Sequence, residues 1–167
     1  MAELYKNKYR IPSARATWHN YNEGMYFITI CIKDMKHLFG EIKDDKINLS
    51  ELGKHTTLCI EKINKIHPET AVHLSVVMPN HLHLLIEIAE ISNTKGSTDS
   101  PSNDHLSNII KQFKRAVTNY AKEQQLPFSW QTRFHEHIIR NSGEMNRIAD
   151  YIENNVLKWA SDKFYTE

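Results

Sequence analysis

Two histidines separated by one residue are the first feature of this sequence that could do chemistry. His81 and His83 open a segment rich in apolar residues, which predicts a strand over His81–Ile88. Side chains alternate across a strand, so both imidazoles would face the same side of a sheet. Two imidazole nitrogens at this spacing can bind one metal ion. The pattern is weak by itself, because this histidine content gives about 0.6 such pairs by chance.

The apolar residues between and after these histidines sharpen the prediction. The alternate positions of the strand, Leu82 and its even-numbered successors, are all apolar and should pack on helices. Metal binding and a purely structural role therefore both remain open for His81 and His83. A second pair, His135 and His137, has the same spacing, and a half-exposed strand edge accounts for it without any ligand role.

A tyrosine and an asparagine near the carboxy end form the second candidate group. Asn141 and Glu144 resemble a capping box, and we expect a last helix from there to about Trp159. Within that helix Tyr151 and Asn155 would lie one turn apart on one face. A polarised phenol is a nucleophile, and a carboxamide oxygen is a neutral metal ligand. A tyrosine at the border of the core with its hydroxyl at the surface is the structural alternative.

Length and composition limit the class of protein. The chain has 167 residues and a mass of 19.6 kDa, which favours one domain over 1–167. Two distant cysteines, Cys31 and Cys59, offer neither a disulfide framework nor a cysteine zinc site. Because no apolar run is long enough for a signal peptide or a membrane span, we expect a soluble cytoplasmic protein without a membrane partner. The net charge of +1 does not by itself indicate nucleic acid.

The periodicity along the chain predicts an α+β fold. A three-residue turn between the strands 71–77 and His81–Ile88 forces them antiparallel, because a parallel return would need a crossover. We therefore expect a ferredoxin-like antiparallel sheet covered by helices. The predicted elements, in order, are a strand at 26–32, a hairpin at 38–41 and 46–49, a helix from Ser50 to before Pro68, the two strands just named, a helix from about 104–107, a strand at 130–140 and the last helix.

Two segments stand apart from these elements. Residues 1–22 are basic and read as an arm over the domain, and residues 89–104 are polar and read as a flexible loop. Basic residues also lie on the predicted second long helix, outside its apolar stripe. The candidate nucleic-acid contacts in these two regions are Lys6, Lys8, Arg10, Arg15, Lys111, Lys114 and Arg115.

The sequence resembles the single-tyrosine HUH transposase family, and within it the REP-associated tyrosine transposases. The resemblance rests on Val-Met-Pro-Asn-His-Leu-His-Leu-Leu at 77–85 and Tyr-Ile-Glu-Asn-Asn at 151–155. Shorter supporting stretches keep the same order, at 24–30, 38–41, 113–114 and 130–140. One departure is Val156, which stands where the family usually has a proline after the tyrosine motif.

The resemblance implies an HUH-endonuclease fold and a DNA transposase or single-stranded DNA endonuclease. His81, His83 and Asn155 would bind a divalent metal, Mg²⁺ or Mn²⁺, and Tyr151 would be the nucleophile. The substrate would be single-stranded DNA beside a hairpin, cut through a 5′-phosphotyrosine intermediate, and the basic residues above would contact phosphates. Whether Tyr151 acts in its own chain or in the partner of a homodimer stays open.

Two other functions remain from the sequence alone. A cupin-type metal enzyme would use Glu87 as a further ligand after the two histidines, although five glycines are few for such a barrel. A domesticated protein that binds hairpin DNA without cutting it would keep the same residues without their chemistry.

Overall fold

A four-stranded sheet with helices on both faces positions the residues singled out above. The computed structural model describes residues 4–5, 9–10, 24–89 and 105–167. The elements are β1 (Leu4–Tyr5), β2 (Tyr9–Arg10), β3 (Gly24–Cys31), β4 (Gly40–Lys43), β5 (Lys46–Leu49), α1 (Glu51–Ile66), β6 (Thr70–Val77), β7 (His81–Ile88), α2 (His105–Glu123), β8 (His135–Ile138) and α3 (Ser142–Glu153).

The main sheet has the strand order β6-β7-β3-β8, and every neighbouring pair is antiparallel. Helix α1 leads from β3 to β6, and helix α2 leads from β7 to β8. This path is the β-α-β-β-α-β arrangement of ferredoxin-like folds, with α3 added after the last strand. The predicted α+β class and antiparallel pairing of β6 with β7 are confirmed.

Helices cover the two faces of the sheet in different ways. The even-numbered residues of β7, including Leu82 and Leu84, share one core cluster with the buried residues of α1 and α2. The odd-numbered Leu85 belongs to a second cluster with Met145 and Ile152 of α3. The predicted apolar face is therefore confirmed, and α3 covers the other face, which carries His81 and His83.

The β4–β5 hairpin turns through the two residues between its strands, Asp44 and Asp45. Asp44 and Asp45 have φ angles of 51° and 58°, both in the left-handed region. A two-residue connection of this kind matches the right-handed twist of the paired strands. Aspartate tolerates this conformation better than most residues, because its short side chain can bond to the nearby backbone.

The start of α1 is fixed by a side-chain cap and by a close backbone contact. The Ser50 hydroxyl accepts a hydrogen bond from the Gly53 N–H at 3.0 Å, which satisfies one of the free donors of the first turn. The Phe39 carbonyl oxygen lies only 2.1 Å from the position that a Cβ on Gly53 would occupy. Position 53 therefore requires glycine, because the backbone of Phe39, just before β4, packs against the first turn of α1.

The strand predicted at 130–140 is shorter in the structure. Regular pairing covers His135–Ile138, and Trp130 forms an isolated bridge with Ile32. Trp130 and Phe134 pack against the first core cluster, and the Trp130 indole N–H donates to the Lys114 carbonyl at 3.1 Å. In the segment between Trp130 and the start of β8, packing of these aromatic side chains takes the place of strand pairing.

The prediction that the last helix runs to Trp159 is wrong. Helix α3 ends at Glu153, and the chain continues through turns to a short 3₁₀ segment, Trp159–Ser161. The Asn154 side chain donates to the Asp150 carbonyl at 2.8 Å. Asparagine side chains compete with the backbone for such carbonyls, which disfavours continuing the helix. Asn155 therefore lies beyond α3, although it still follows Tyr151 by four residues.

Several sequence predictions fall outside the described residues. Lys6, Lys8 and Arg15 of the basic arm lie there, as does the polar loop except for Ala89. Arg10 lies in β2, of which the structure gives the backbone pairing with β1. Among the described helices, none combines the length and the apolar character that a membrane crossing requires.

Replacing the two helical glycines by alanine should have opposite effects on stability. Gly53→Ala forces a Cβ against backbone, and overpacking of this kind costs about 1–3 kcal/mol or more. Gly143→Ala meets nothing closer than the Asn141 side chain at 3.4 Å, and alanine should stabilise α3 by about 0.4–1 kcal/mol. Urea unfolding of both variants measures the difference, and equal stabilities would contradict the packing at Gly53.

Candidate active site

Two fully buried imidazoles face each other at the start of β7. His81 and His83 have their Nε2 atoms 3.1 Å apart, with ring centroids 4.6 Å apart. Both lie on the face of the sheet that α3 covers, as their odd positions in the strand require. The structure therefore brings the two predicted nitrogens to one point, which is what binding of a single ion needs.

The second nitrogen of each ring is held by a neighbouring polar group. The His81 Nδ1 donates to the Asn80 Oδ1 at 2.7 Å, while the Asn80 Nδ2 donates to the Phe164 carbonyl at 2.9 Å. His83 Nδ1 shares a 2.8 Å hydrogen bond with the Thr29 hydroxyl on β3. Because the His81 Nδ1 carries the proton, its Nε2 presents a lone pair. Outer partners of this type fix the ring orientation of metal-binding histidines.

Burial keeps both imidazoles neutral. Burial, opposed by Asp162 and Asn155 and reinforced by the Lys163 charge, lowers the pKa of His81 to about 4. Burial and the charges of His81 and Lys163 also lower the pKa of His83 well below its usual value. Both rings are therefore free of a second proton at neutral pH. A neutral imidazole is the form that coordinates metal ions.

Tyr151 lies beside this pair in the same chain. Its ring centroid is 5.2 Å from that of His83, and its ring stands edge-on to Phe27 at 6.1 Å. The phenol donates to the Asp162 Oδ2 at 2.7 Å. Burial, followed by the hydrogen bond and charge of Asp162, raises the pKa of Tyr151 well above its usual value. The resting hydroxyl is therefore protonated and held towards a carboxylate.

Asp162 joins three parts of the site, and no motif or spacing in the sequence indicates it. Besides the phenol, its Oδ2 accepts from the Asn155 Nδ2 at 2.6 Å, and its Oδ1 accepts from the Phe164 N–H at 2.8 Å. Asp162 follows the turns after α3, so no periodic spacing relates it to Tyr151. Asp162 reaches the site because α3 ends at Glu153 and the chain then turns back.

The amide of Asn155 has one buried oxygen without a hydrogen-bond partner among the described residues. This Oδ1 belongs to a nearly fully buried side chain that interacts with His81, and its Nδ2 is held by Asp162. A buried polar atom without a partner is costly unless something binds it. Two neutral imidazoles and one amide oxygen are donors that a divalent cation accepts. The residues present thus fit a metal ion.

The carboxy-terminal segment covers the imidazoles. The Phe164 ring centroid is 4.6 Å from that of His81 and 5.8 Å from that of His83. Lys163 is exposed, and its charge acts on both imidazoles. Lys163 was not among the basic residues selected from the sequence, because a single lysine near the end of a chain forms no cluster.

The basic residues predicted on α2 lie on the other side of the sheet. Helix α2 packs with α1 on the even-numbered face of β7, opposite the imidazole pair. Lys111 and Arg115 are exposed there. The Lys114 Nζ donates to the Gln131 carbonyl at 2.9 Å, and burial lowers its pKa. The structure therefore does not bring these three residues to the candidate active site.

Glu87 does not join the imidazole pair. It lies four residues beyond His83 along β7, about 13 Å for an extended strand, and its carboxylate accepts from His73 Nε2 at 2.7 Å. The open four-stranded sheet is also unlike a cupin barrel.

The second histidine pair lies on the edge strand β8. His135 and His137 are both exposed there, and His137 bonds to Glu144.

A separate group of side chains could also hold a metal ion. His67, Glu69 and His105 offer three donor atoms that all lie within 4.8 Å of one another. The sequence spacing of these residues did not single them out, since His105 is distant from the other two along the chain.

The fold matches that of a solved tyrosine transposase. A solved structure of a REP-associated tyrosine transposase bound to a REP hairpin matches 86% of this chain and 74% of its own, with a TM-score of 0.53 and 22% identity. A second solved structure, described as a putative transposase from Deinococcus radiodurans, matches 86% of this chain and 97% of its own, with 14% identity and a TM-score of 0.49.

In sequence, the chain is 36% identical over 169 residues to an uncharacterized protein of Haemophilus influenzae. The match covers 93% of each protein, so the chain belongs to the same family as that protein. No protein-family profile matches the sequence.

Removing the Thr29 hydroxyl should destabilise the protein more than removing its methyl group. Thr29→Val keeps the side-chain shape and favours a strand, but it leaves the buried His83 Nδ1 without this partner, at about 1–3 kcal/mol. Thr29→Ser keeps the hydroxyl and loses about 0.8 kcal/mol of methyl burial. Urea unfolding at neutral pH compares the two. A Thr29→Val protein as stable as wild type would show that the hydroxyl is not needed by His83.

Proposed function

We propose that this protein is a metal-dependent single-stranded DNA endonuclease and strand transferase of the tyrosine transposase type, with Tyr151 as its nucleophile. The observation that carries the proposal is the meeting of three distant segments at one place. The phenol of Tyr151 lies 5.2 Å, ring to ring, from His83, whose Nε2 is 3.1 Å from that of His81. This arrangement occurs within one chain, which supports a tyrosine that acts in its own protomer.

His81, His83 and Asn155 would hold the divalent cation, Mg²⁺ or Mn²⁺. The neutral state of both imidazoles and the unpartnered Asn155 Oδ1 support this set. When bound, such an ion polarises a scissile phosphate and helps to orient it for in-line attack. Because the three donors bring no negative charge, the phosphate and water would complete the coordination.

Asp162 would receive the proton of the nucleophile. The Tyr151 hydroxyl already donates to its Oδ2 at 2.7 Å, within the range needed for general-base catalysis. As the phenolic oxygen forms its bond to phosphorus, the proton passes to Asp162. The bond from phosphorus to the 3′ oxygen breaks, and the departing oxygen takes a proton from water, leaving a free 3′-hydroxyl and a 5′-phosphotyrosine. A later attack by a 3′-hydroxyl on that phosphotyrosine rejoins DNA without ATP.

The DNA would approach the face covered by α3 and the carboxy-terminal segment. Lys163 is the described basic residue whose charge reaches both imidazoles, which makes it a candidate contact for the scissile phosphate. Lys6, Lys8, Arg10 and Arg15 remain proposed contacts for flanking DNA. Lys111 and Arg115 would contact only DNA that reaches the far side of the sheet. Lys114 would first have to give up its hydrogen bond to the Gln131 carbonyl.

A hairpin with a single-stranded flank is the proposed substrate. The solved transposase with this fold is bound to a REP hairpin. A single strand can bend a phosphate into a buried site more easily than a duplex can. Hairpins from the genome that encodes this chain are therefore the substrates to test first.

Tyr151→Phe should abolish a covalent protein–DNA product, because phenylalanine has no attacking oxygen. Wild type is incubated with labelled hairpin DNA and Mn²⁺, and the product is read as a slowly migrating band on a denaturing gel. Tyr165→Phe is the matched control, since Tyr165 is exposed in the same terminal segment and its ring packs on Trp159. Glu87→Ala should also keep the band.

Two outcomes would contradict the proposal. A covalent band that persists in Tyr151→Phe would assign the nucleophile elsewhere. Hairpin binding by wild type without any covalent band, across the hairpins tested and with either metal, would favour a DNA-binding protein that does not cleave.

Lys163→Met should weaken binding of single-stranded DNA and reduce its salt dependence. Loss of one phosphate contact lowers the slope of log affinity against log salt by about 0.7 for a single strand. Lys65→Met is the control, because Lys65 is exposed in the last turn of α1, away from the imidazole pair. Fluorescence anisotropy over a salt series gives both slopes, and identical slopes would remove Lys163 from the DNA contacts.

A further inference from the structure

A second group of metal-ligand side chains lies at the opposite end of β7 from the imidazole pair. His81 begins β7, whereas Ile88 ends it and pairs with Thr70, the residue after Glu69. Seven residue steps of an extended strand separate the two ends by about 23 Å. The group of His67, Glu69 and His105 is therefore too distant to take part in chemistry at Tyr151.

We propose that His67, Glu69 and His105 form a zinc-binding site with water as the remaining ligand. Their donor atoms lie within 4.8 Å of one another, and the His67 Nδ1 is 3.6 Å from the Glu69 Oε1. Two ligands on a tetrahedral zinc with bonds of about 2.1 Å stand about 3.4 Å apart. Small rotations of side chains would therefore bring all three donors to bonding distance.

Hydrogen bonds already orient these donors. The His67 Nε2 donates to the Gln112 Oε1 at 3.1 Å, which leaves the lone pair on Nδ1, the atom that faces Glu69. His105 Nε2 contacts the same Glu69 oxygen. Although burial opposes it, hydrogen bonds from its own backbone N–H and from His105 lower the pKa of Glu69, so the carboxylate is ionised at neutral pH. An outer partner such as Gln112 is typical of metal-binding histidines.

The backbone holds two of the ligands firmly in place. The His67 N–H donates to the Ile63 carbonyl at 2.8 Å at the end of α1, and the His67 carbonyl accepts from the Thr70 N–H at 2.9 Å. The Glu69 carbonyl accepts from the Ala89 N–H at 2.8 Å. His105 is the first residue of α2. A bound ion would therefore tie the end of α1, the approach to β6 and the start of α2 together.

Zinc fits this donor set better than magnesium or calcium. Two imidazoles and one carboxylate suit borderline transition metals, and zinc commonly takes two histidines with a glutamate. Water would complete the coordination, since the three side chains are 14–24% exposed. The site is independent of the proposed nuclease activity.

Zinc binding is measured in the full chain carrying His81→Ala and His83→Ala, so that the other imidazole pair contributes nothing. Titration calorimetry with Zn²⁺ should give one equivalent, and Co²⁺ should produce the visible absorption of a tetrahedral nitrogen and oxygen site. Zinc at a hundredfold excess over Kd should raise the melting temperature by about 5–10 °C.

Variants of the site and a matched control decide the assignment. In the same background, Glu69→Gln should weaken zinc binding at least tenfold, and Gln112→Leu should weaken it by about ten- to a hundredfold while leaving all three ligands. His73→Gln is the control, because His73 also bonds to a glutamate, Glu87, but lies outside the group. If Glu69→Gln fails to fold, Gln112→Leu against His73→Gln gives the answer. Absence of zinc binding, or equal binding in all variants, would overturn the proposal.

Discussion

The central constraint of this structure is the burial of two imidazoles with their Nε2 atoms 3.1 Å apart. At neutral pH neither ring carries a second proton, because burial lowers both pKa values and outweighs the opposing charge of Asp162 on His81. Each ring must therefore be neutral and must have its other nitrogen occupied. Asn80 and Thr29 meet this need from the turn before β7 and from the neighbouring strand β3. The central position of β7 in the sheet makes both partners available.

The second organising group is the carboxylate of Asp162. It holds the phenol of Tyr151, the amide of Asn155 and the backbone of Phe164 at once. These contacts require α3 to end before Asn155, so that the chain can return over the imidazoles. A continuous helix to Trp159 would have carried Asn155 and Asp162 along its axis instead. The early end of α3 is thus part of the site rather than a detail of the fold.

Much of the fold followed from local patterns. The alternation in β7, the Asp-Asp turn and the capped start of α1 were all predictable, because periodicity and turn chemistry act over a few residues. The faces assigned to His81 and His83 also followed from strand parity. The end of α3 and the shortened β8 did not, since they depend on packing of Trp130, Phe134 and the terminal segment. Asp162, Thr29 and the His67 group needed the tertiary structure, because no sequence spacing links them to their partners.

The pairing of β7 on both sides has a consequence for how this family can change over time. All eight residues of β7 pair with β3, and seven of them pair with β6. Shifting β7 by a single residue would turn each of its side chains to the opposite face of the sheet. Leucines would then face the site, and the imidazoles would lie in the apolar core beneath α1 and α2. Individual residues of this strand can therefore be substituted one at a time, whereas the number of residues in the strand cannot change. Descendants of this gene should therefore vary in length at the connections between elements and keep the number of residues in β7 unchanged.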